Sequence, residues 1–152
     1  MERRAVRALV IDASKRLLLL RGELPDREPW WFAPGGAVDP GETDEAALIR
    51  ELSEEIGLTV DLSTLLPAVW TRDYLFTWKG AVERHLERFF LIETGGHDVD
   101  PDSEAGAARN YRWWSLEEVQ SSHDLFAPRT LAEHLAPLLH GRFPPEPVEV
   151  GE

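Results

Sequence analysis

The sequence predicts a single α+β domain of strand hairpins joined by a few helices, and three observations carry that expectation. Runs rich in Val, Ile, Leu and aromatic residues alternate with Gly-, Pro- and Asp-containing breaks, as strands joined by turns do. One stretch in the first half shows apolar residues at helical spacing between recognisable caps. The chain, 152 residues with 43% of them apolar, is long enough for one sizeable core and short for two ordinary domains.

Taken in order, residues 3–12 and 16–21 are rich in Val, Leu and Ile. Asp12-Ala13-Ser14-Lys15 supplies turn chemistry between them, so two antiparallel strands are expected. Residues 30–36, Trp-Trp-Phe-Ala-Pro-Gly-Gly, read as a short strand entering a glycine-rich bend where the backbone can approach a ligand closely. A helix follows, with Thr43 as N-cap, Asp44 and Glu45 in the first turn and Gly57 as the stop. Its buried stripe is Leu48, Ile49, Leu52 and Ile56. Residues 68–78 and 83–93 form a long hairpin about Lys79-Gly80. A polar, acidic loop over 95–108 leads to a strand at 109–114. Ser115 with Glu118 has the capping-box form and opens a short helix. A last helix is expected over 128–140, shortened or kinked at Pro137 and bounded by Gly141. The domain is assigned to residues 1–142, and the Pro- and Glu-rich tail, 143–152, is expected to be disordered.

Charge narrows the partners. Acidic residues outnumber basic ones by 28 to 16, for a net charge of −12, so the average surface repels long nucleic acids and anionic membranes. Phosphorylated ligands must then be met by local cations, whether arginines or metal ions held by carboxylates. There is no cysteine, which excludes disulfides, thiolate metal sites and a cysteine nucleophile, and fits a cytoplasmic location. The basic, apolar N-terminus is interrupted by Asp12, Lys15 and Arg16, so neither a signal peptide nor a membrane span is expected.

Glu51, Glu54 and Glu55 fall at i, i+3 and i+4 and share one helix face. Like charges at this spacing destabilise an isolated helix by a few tenths of a kcal/mol per pair. A hard divalent cation would offset that repulsion, while in so acidic a chain the alternative is an ordinary solvated face. Mg²⁺, with Mn²⁺ as a substitute, takes carboxylate, carbonyl and water oxygens and neutralises polyphosphates. A carbonyl of the Gly35-Gly36 bend is placed to complete such a shell. Glu42 and Arg50 have opposite charges and can brace the loop against the helix.

The wider pattern is more specific. Residues 36–58, GAVDPGETDEAALIRELSEEIGL, match the Nudix signature at every defined position: Gly36, Glu42, Arg50, Glu51, Leu52, Glu54, Glu55, Gly57 and Leu58. Outside this box the N-terminal hairpin, the Trp-Phe-Ala-Pro-Gly-Gly approach, the long hairpin and Arg-Trp-Trp-Ser-Leu-Glu-Glu also resemble Nudix hydrolases, up to about residue 140. The resemblance implies an α/β/α sandwich with a central mixed sheet, and metal-dependent hydrolysis of a phosphoanhydride in a nucleoside diphosphate linked to another group. It implies metal ligation by Glu51, Glu54, Glu55 and the Gly35 carbonyl, with Gly36, Glu42, Arg50 and Gly57 as structural support. Glu51, Glu54 and Glu104 are the catalytic candidates, Glu51 or Glu104 serving as general base. A nucleotide-sensing module and an RNA 5′-end pyrophosphohydrolase are the alternatives; an isoprenoid diphosphate isomerase of this superfamily needs a cysteine that is missing here. A homodimer is common among such proteins.

The first strand of the long hairpin offers candidate substrate contacts, with core filling the simpler reading for most of its rings. Trp70, Arg72, Tyr74, Phe76 and Trp78 alternate, so all five share a face, where rings can stack on a base and Arg72 can meet a phosphate. Arg84, Arg88 and Arg109 are further phosphate candidates. The five histidines show no metal-ligand spacing.

Overall fold

The computed structural model describes residues 2–95, 99–100 and 110–152; the expectations for His97, Glu104 and Arg109 lie outside them. The strands are β1 (Glu2–Ile11), β2 (Leu17–Leu24), β3 (Arg27–Phe32), β4 (Gly35–Ala37), β5 (Trp70–Trp78), β6 (Ala81–Glu93), β7 (Tyr111–Trp114), β8 (Leu125–Ala127) and β9 (Val148–Glu149). The helices are α1 (Asp44–Ile56), α2 (Leu116–Ser121) and α3 (Leu131–Leu139), with a 3-10 turn at Leu62–Thr64.

All the strands join one mixed sheet in the order β8-β3-β2-β1-β6-β5-β9, with β4 on β1 and β7 on β2. Its spine is the parallel pairing of β1 with β6, from Glu2↔Arg84 to Ile11↔Glu93. Because side chains alternate along a strand, β1 serves both faces. Val6, Ala8 and Val10 join Ala47, Leu48, Leu52 and Ile56 of α1 in one core. Leu9 and Ile11 join Val119, Leu131, Leu135 and Leu138 of α2 and α3 in the other. The result is the expected α/β/α sandwich. Leu48, Leu52 and Ile56 are wholly excluded from solvent, each stabilising the α1 layer by about 1.5–3 kcal/mol.

Two expectations are corrected. The short strand expected in 30–36 is present, but the glycine-rich bend expected after it is itself a second strand with a different partner. Trp30, Trp31 and Phe32 pair with β2, whereas Gly35, Gly36 and Ala37 pair with β1. Pro34 marks the switch: it has no N–H for a ladder, and its carbonyl accepts from Ala8 N–H at 2.8 Å. The tail is also ordered. The Val148 and Val150 amides donate to the Val69 and Thr71 carbonyls at 3.0 and 2.9 Å, and Val150 is buried in the second core. Pro- and Glu-rich composition suggested disorder, but β5 offers an unpaired edge and the core a place for one valine. More modestly, α3 starts at Leu131 with Pro137 inside it, and Ala47 rather than Ile49 completes the buried stripe of α1.

Candidate active site

The loop and helix over 35–58 are held by local chemistry that the sequence announces. Thr43 accepts the Ala46 N–H on its side chain and opens α1. Gly57 closes the helix at φ 64°, its N–H donating to the Ser53 carbonyl and the following Leu58 N–H to the Leu52 carbonyl, each at 3.2 Å. Arg50 ties the two ends of the loop together. Its Nε and Nη2 donate to the two oxygens of Glu42 at 2.9 and 2.8 Å, and Nη2 also reaches the Ala37 carbonyl at 3.1 Å. This grip and the Asp39 amide hold the Glu42 carboxyl down at about 2, a permanent anion beside a permanent cation.

The three glutamates line one side of α1. Arg50 Nη1 lies 3.0 Å from Glu51 and 3.5 Å from Glu54. Glu55 turns inward, accepting the Gly35 N–H at 3.4 Å. Burial pushes the Glu55 carboxyl up to about 7 against the pull of Arg7, with Glu51 and Glu54 adding repulsion. A Cβ on Gly36 would sit 2.5 Å from the Glu51 carboxylate carbon, and one on Gly35 would collide with the Val6 carbonyl. Backbone and carboxylates are therefore in direct apposition, which only glycine permits.

This donor set fits a hard divalent cation: three carboxylates and adjacent backbone carbonyls, one carboxylate so desolvated that it favours its proton. Among the described residues no three acidic side chains converge on one point, because Glu51 and Glu54 are turned to Arg50. The three residues stand at i, i+3 and i+4 and are neighbours on the helix.

Beside the glutamates, across Ala33 and Arg7, opens a cavity of about 580 Å³. Phe32, Trp30, Tyr74 and Phe76 give it aromatic walls. Its floor carries a buried charge cluster in which Glu87 accepts from Arg7 Nε and from Arg72 Nη1, each at 2.9 Å. Burial opposes ionisation of Glu87, but the two guanidiniums hold its carboxyl below the usual range. Tyr74 OH lies 3.1 Å from His85 Nδ1 and 3.5 Å from Glu87. Burial, aided by Arg3, lowers His85 and favours its neutral ring.

Charge is distributed unevenly. The cavity takes Arg3, Arg7, Arg27, Arg72 and Arg129 against Asp26, Glu28, Glu87 and Glu152, five minus four or formally +1, in a chain of −12. The NUDIX domain matches residues 1–137, spanning the glutamate helix and nearly all of this cavity wall. The chain belongs to the Nudix family.

Its likeness to individual Nudix proteins is moderate. A Bacillus subtilis (strain 168) protein carrying the provisional name 8-oxo-dGTP diphosphatase is 35% identical over 101 residues, 66% of this chain and 60% of that one. The RNA pyrophosphohydrolase of Acidiphilium cryptum (strain JF-5) is 34% identical over 137 residues, 85% of this chain and 84% of its own. The chain spans 60–66% of the length of several curated relatives it matches, slightly under two thirds. The crystal structure of the MutT protein from Methanosarcina mazei Go1 superposes with a TM-score of 0.70 at 25% identity, covering 89% of this chain and 93% of that one.

Within the Nudix fold the expected substrate residues separate. Arg72, Tyr74 and Phe76 line the cavity together, while Trp70 is buried in the core and Trp78 is exposed at the hairpin end. Arg88 does not join them. On β6 it alternates with Glu87 and projects to the α1 face, where Nη1 donates to Asp44 at 2.6 Å. Arg84 is likewise held by Asp73 through two bonds. Arg7, His85 and Glu87 were not singled out from the sequence, although the two-residue turn Lys79-Gly80 contains the signal. Pairing Trp78 with Ala81 forces Arg72 opposite Glu87 and Tyr74 opposite His85.

Proposed function

We propose that this Nudix protein is a divalent-metal-dependent pyrophosphohydrolase of a small nucleoside di- or polyphosphate, using Mg²⁺ or Mn²⁺ in the cytoplasm. The observation that carries the reading is the continuity of the two halves of the site. Arg7 pairs through its backbone with Gly35, its charge acts on Glu55, and its side chain lines the aromatic cavity. A nucleotide whose base lies between the rings brings its phosphates toward the glutamates.

In this reading Glu51, Glu54, Glu55 and the Gly35 carbonyl hold the metal, which when bound neutralises phosphate charge and lowers the pKa of water. Arg7 and Arg3 draw the polyphosphate into a chain that is otherwise anionic. Glu51 takes the proton of the attacking water, with Glu104 as the alternative base; the new P–O bond forms as the anhydride P–O bond breaks, and the departing phosphate takes up a proton. The Glu42–Arg50 pair keeps the loop fixed against α1.

Among the described residues no helix is long and apolar enough to cross a membrane. The names of the relatives put oxidised nucleoside triphosphates and 5′-triphosphorylated RNA on the substrate panel, and the charge of −12 favours the shorter of the two. The test is a product-release screen over nucleoside triphosphates, nucleotide sugars, dinucleotides and a 5′-triphosphorylated oligonucleotide, with Mg²⁺, Mn²⁺ or excess chelator. Metal-dependent cleavage of a small nucleotide is expected. Binding without cleavage across the panel would instead identify a nucleotide sensor.

A further inference from the structure

The last residues of the chain cross the cavity end of β5, and their contacts are specific. Glu149 accepts Asp73 N–H and Gly151 N–H on one oxygen, at 3.2 and 3.1 Å, and Thr71 Oγ1 on the other at 3.2 Å. Thr130 Oγ1 donates to the Val150 carbonyl at 3.0 Å, and Arg129 N–H to the Glu152 carbonyl at 2.7 Å. At the centre, Arg72 Nε donates to the Gly151 carbonyl at 2.9 Å.

That bond completes a vice around Arg72. Glu87 takes Nη1, the Tyr74 ring lies 3.7 Å beneath the guanidinium, and Gly151 takes Nε. The Arg72 side chain is only 9% exposed, and its Nη2 edge lies on a guanidinium that lines the cavity. A nearly buried guanidinium whose planar fork is already immobilised is suited to donate to an acceptor atom of a ligand.

We propose that residues 148–151 are a working part of the substrate pocket: the Gly151 carbonyl positions Arg72 so that its Nη2 edge meets an acceptor oxygen or nitrogen of the nucleotide. The proposal rests on the nucleotide-hydrolase reading above. Gly151 acts through Arg72 and is a positioning residue. Its φ of 72° aims the carbonyl at Arg72, a conformation that asparagine tolerates and proline cannot adopt.

The experiment compares Gly151→Pro and Gly151→Asn in the full chain, using dGTP and diadenosine tetraphosphate as probes at saturating Mg²⁺. Gly151→Pro is expected to raise KM about tenfold with kcat within about twofold of wild type, as loss of uniform binding does; Gly151→Asn recovers most of the affinity. In an Arg72→Lys background, which lacks the Nε donor, Gly151→Pro adds less than about a twofold change, because the two residues act as one unit. The Arg72 Nε–H proton, observed by NMR, exchanges slowly in wild type and rapidly in Gly151→Pro.

An unchanged KM, or an equally large effect in the Arg72→Lys background, overturns the proposal. If Gly151→Pro does not fold, the NMR signal and KM of Gly151→Ala, strained at the same φ, decide the matter in the same way. Where the wild type cleaves neither probe, the KM comparison is made on whichever panel substrate it does cleave; cleavage of none counts against the hydrolase reading itself, while slow exchange of the Arg72 proton lost in Gly151→Pro still reports the vice.

Discussion

Arg50 and Glu42 face each other fork to fork, Nε to Oε2 at 2.9 Å and Nη2 to Oε1 at 2.8 Å, eight residues apart in sequence. The pair spans the loop that precedes α1 and the second turn of that helix, so it fixes where the helix side chains stand relative to Gly35 and Gly36. Arg50→Lys keeps the charge and loses the bidentate geometry. Turnover should fall about 10- to 100-fold, the usual loss when a group orienting metal ligands is disturbed, with a melting temperature within a few degrees of wild type. Full activity would show that the loop is held by other contacts.

Glu55→Gln and Glu51→Gln should each lower kcat by orders of magnitude at saturating Mg²⁺ while leaving the fold intact, since charge is removed and volume is not. Circular dichroism and a metal titration on the same samples check it. A folded variant with near-normal turnover would remove that residue from the assignment.

The Glu55 carboxyl also makes a pH prediction with a definite sign. Burial pushes it up to about 7, whereas an ordinary glutamate lies near 4.5. In the metal-free protein the folded state therefore holds a proton that the unfolded chain releases. Stability from this site is complete below pH about 4.5 and declines as pH rises through 7, by on the order of 3 kcal/mol at most. Melts in chelator at pH 5 and pH 8 should show the loss, Glu55→Gln should abolish it, and Mg²⁺ should restore stability at the higher pH. Because metal and proton compete for the same oxygens, Mg²⁺ affinity should increase from pH 6 to 8.

Leu52 carries no catalytic group and is wholly buried between α1 and the sheet. Leu52→Ala should destabilise the protein by about 2–5 kcal/mol, with the specific activity of the folded fraction retained. Denaturant titration separates this scaffold effect from the charge variants above.

Glu87 is the buried counter-ion of Arg72, which is buried, and of Arg7, which is partly so. Glu87→Gln leaves Arg7 and Arg72 facing each other without it, and should destabilise the fold by about 3–5 kcal/mol. An Arg72→Gln change made alongside should recover part of that loss. An additive double mutant would mean that the three residues do not act as a cluster.

The glutamate helix was legible because its signals are local. Caps, apolar period and carboxylate spacing all lie within residues 43–57, and each is an i, i+3 or i+4 relation. The charge cluster was not, because Arg7, Arg72 and Glu87 come from three strands and meet only through sheet register. Alternation alone placed Arg72, Tyr74 and Phe76 on one face, but without the partner strand it could not tell Glu87 from Arg88, which look in opposite directions. The tail was misjudged for a related reason: composition describes a segment by itself, and residues 148–150 are ordered by what they find on β5 and in the core.

The parallel ladder between β1 and β6 has a consequence for the time course of folding. Its partners, such as Arg7 and Phe89, are separated by about half the chain, and closing so large a loop must precede any reward from the contacts it allows. A chain emerging from the ribosome can form the first hairpin and α1 early, yet it has no floor for the aromatic cavity until β6 has been made and has slid into register. The cavity therefore closes late in folding, and a nucleotide that binds it should slow unfolding far more than it speeds folding.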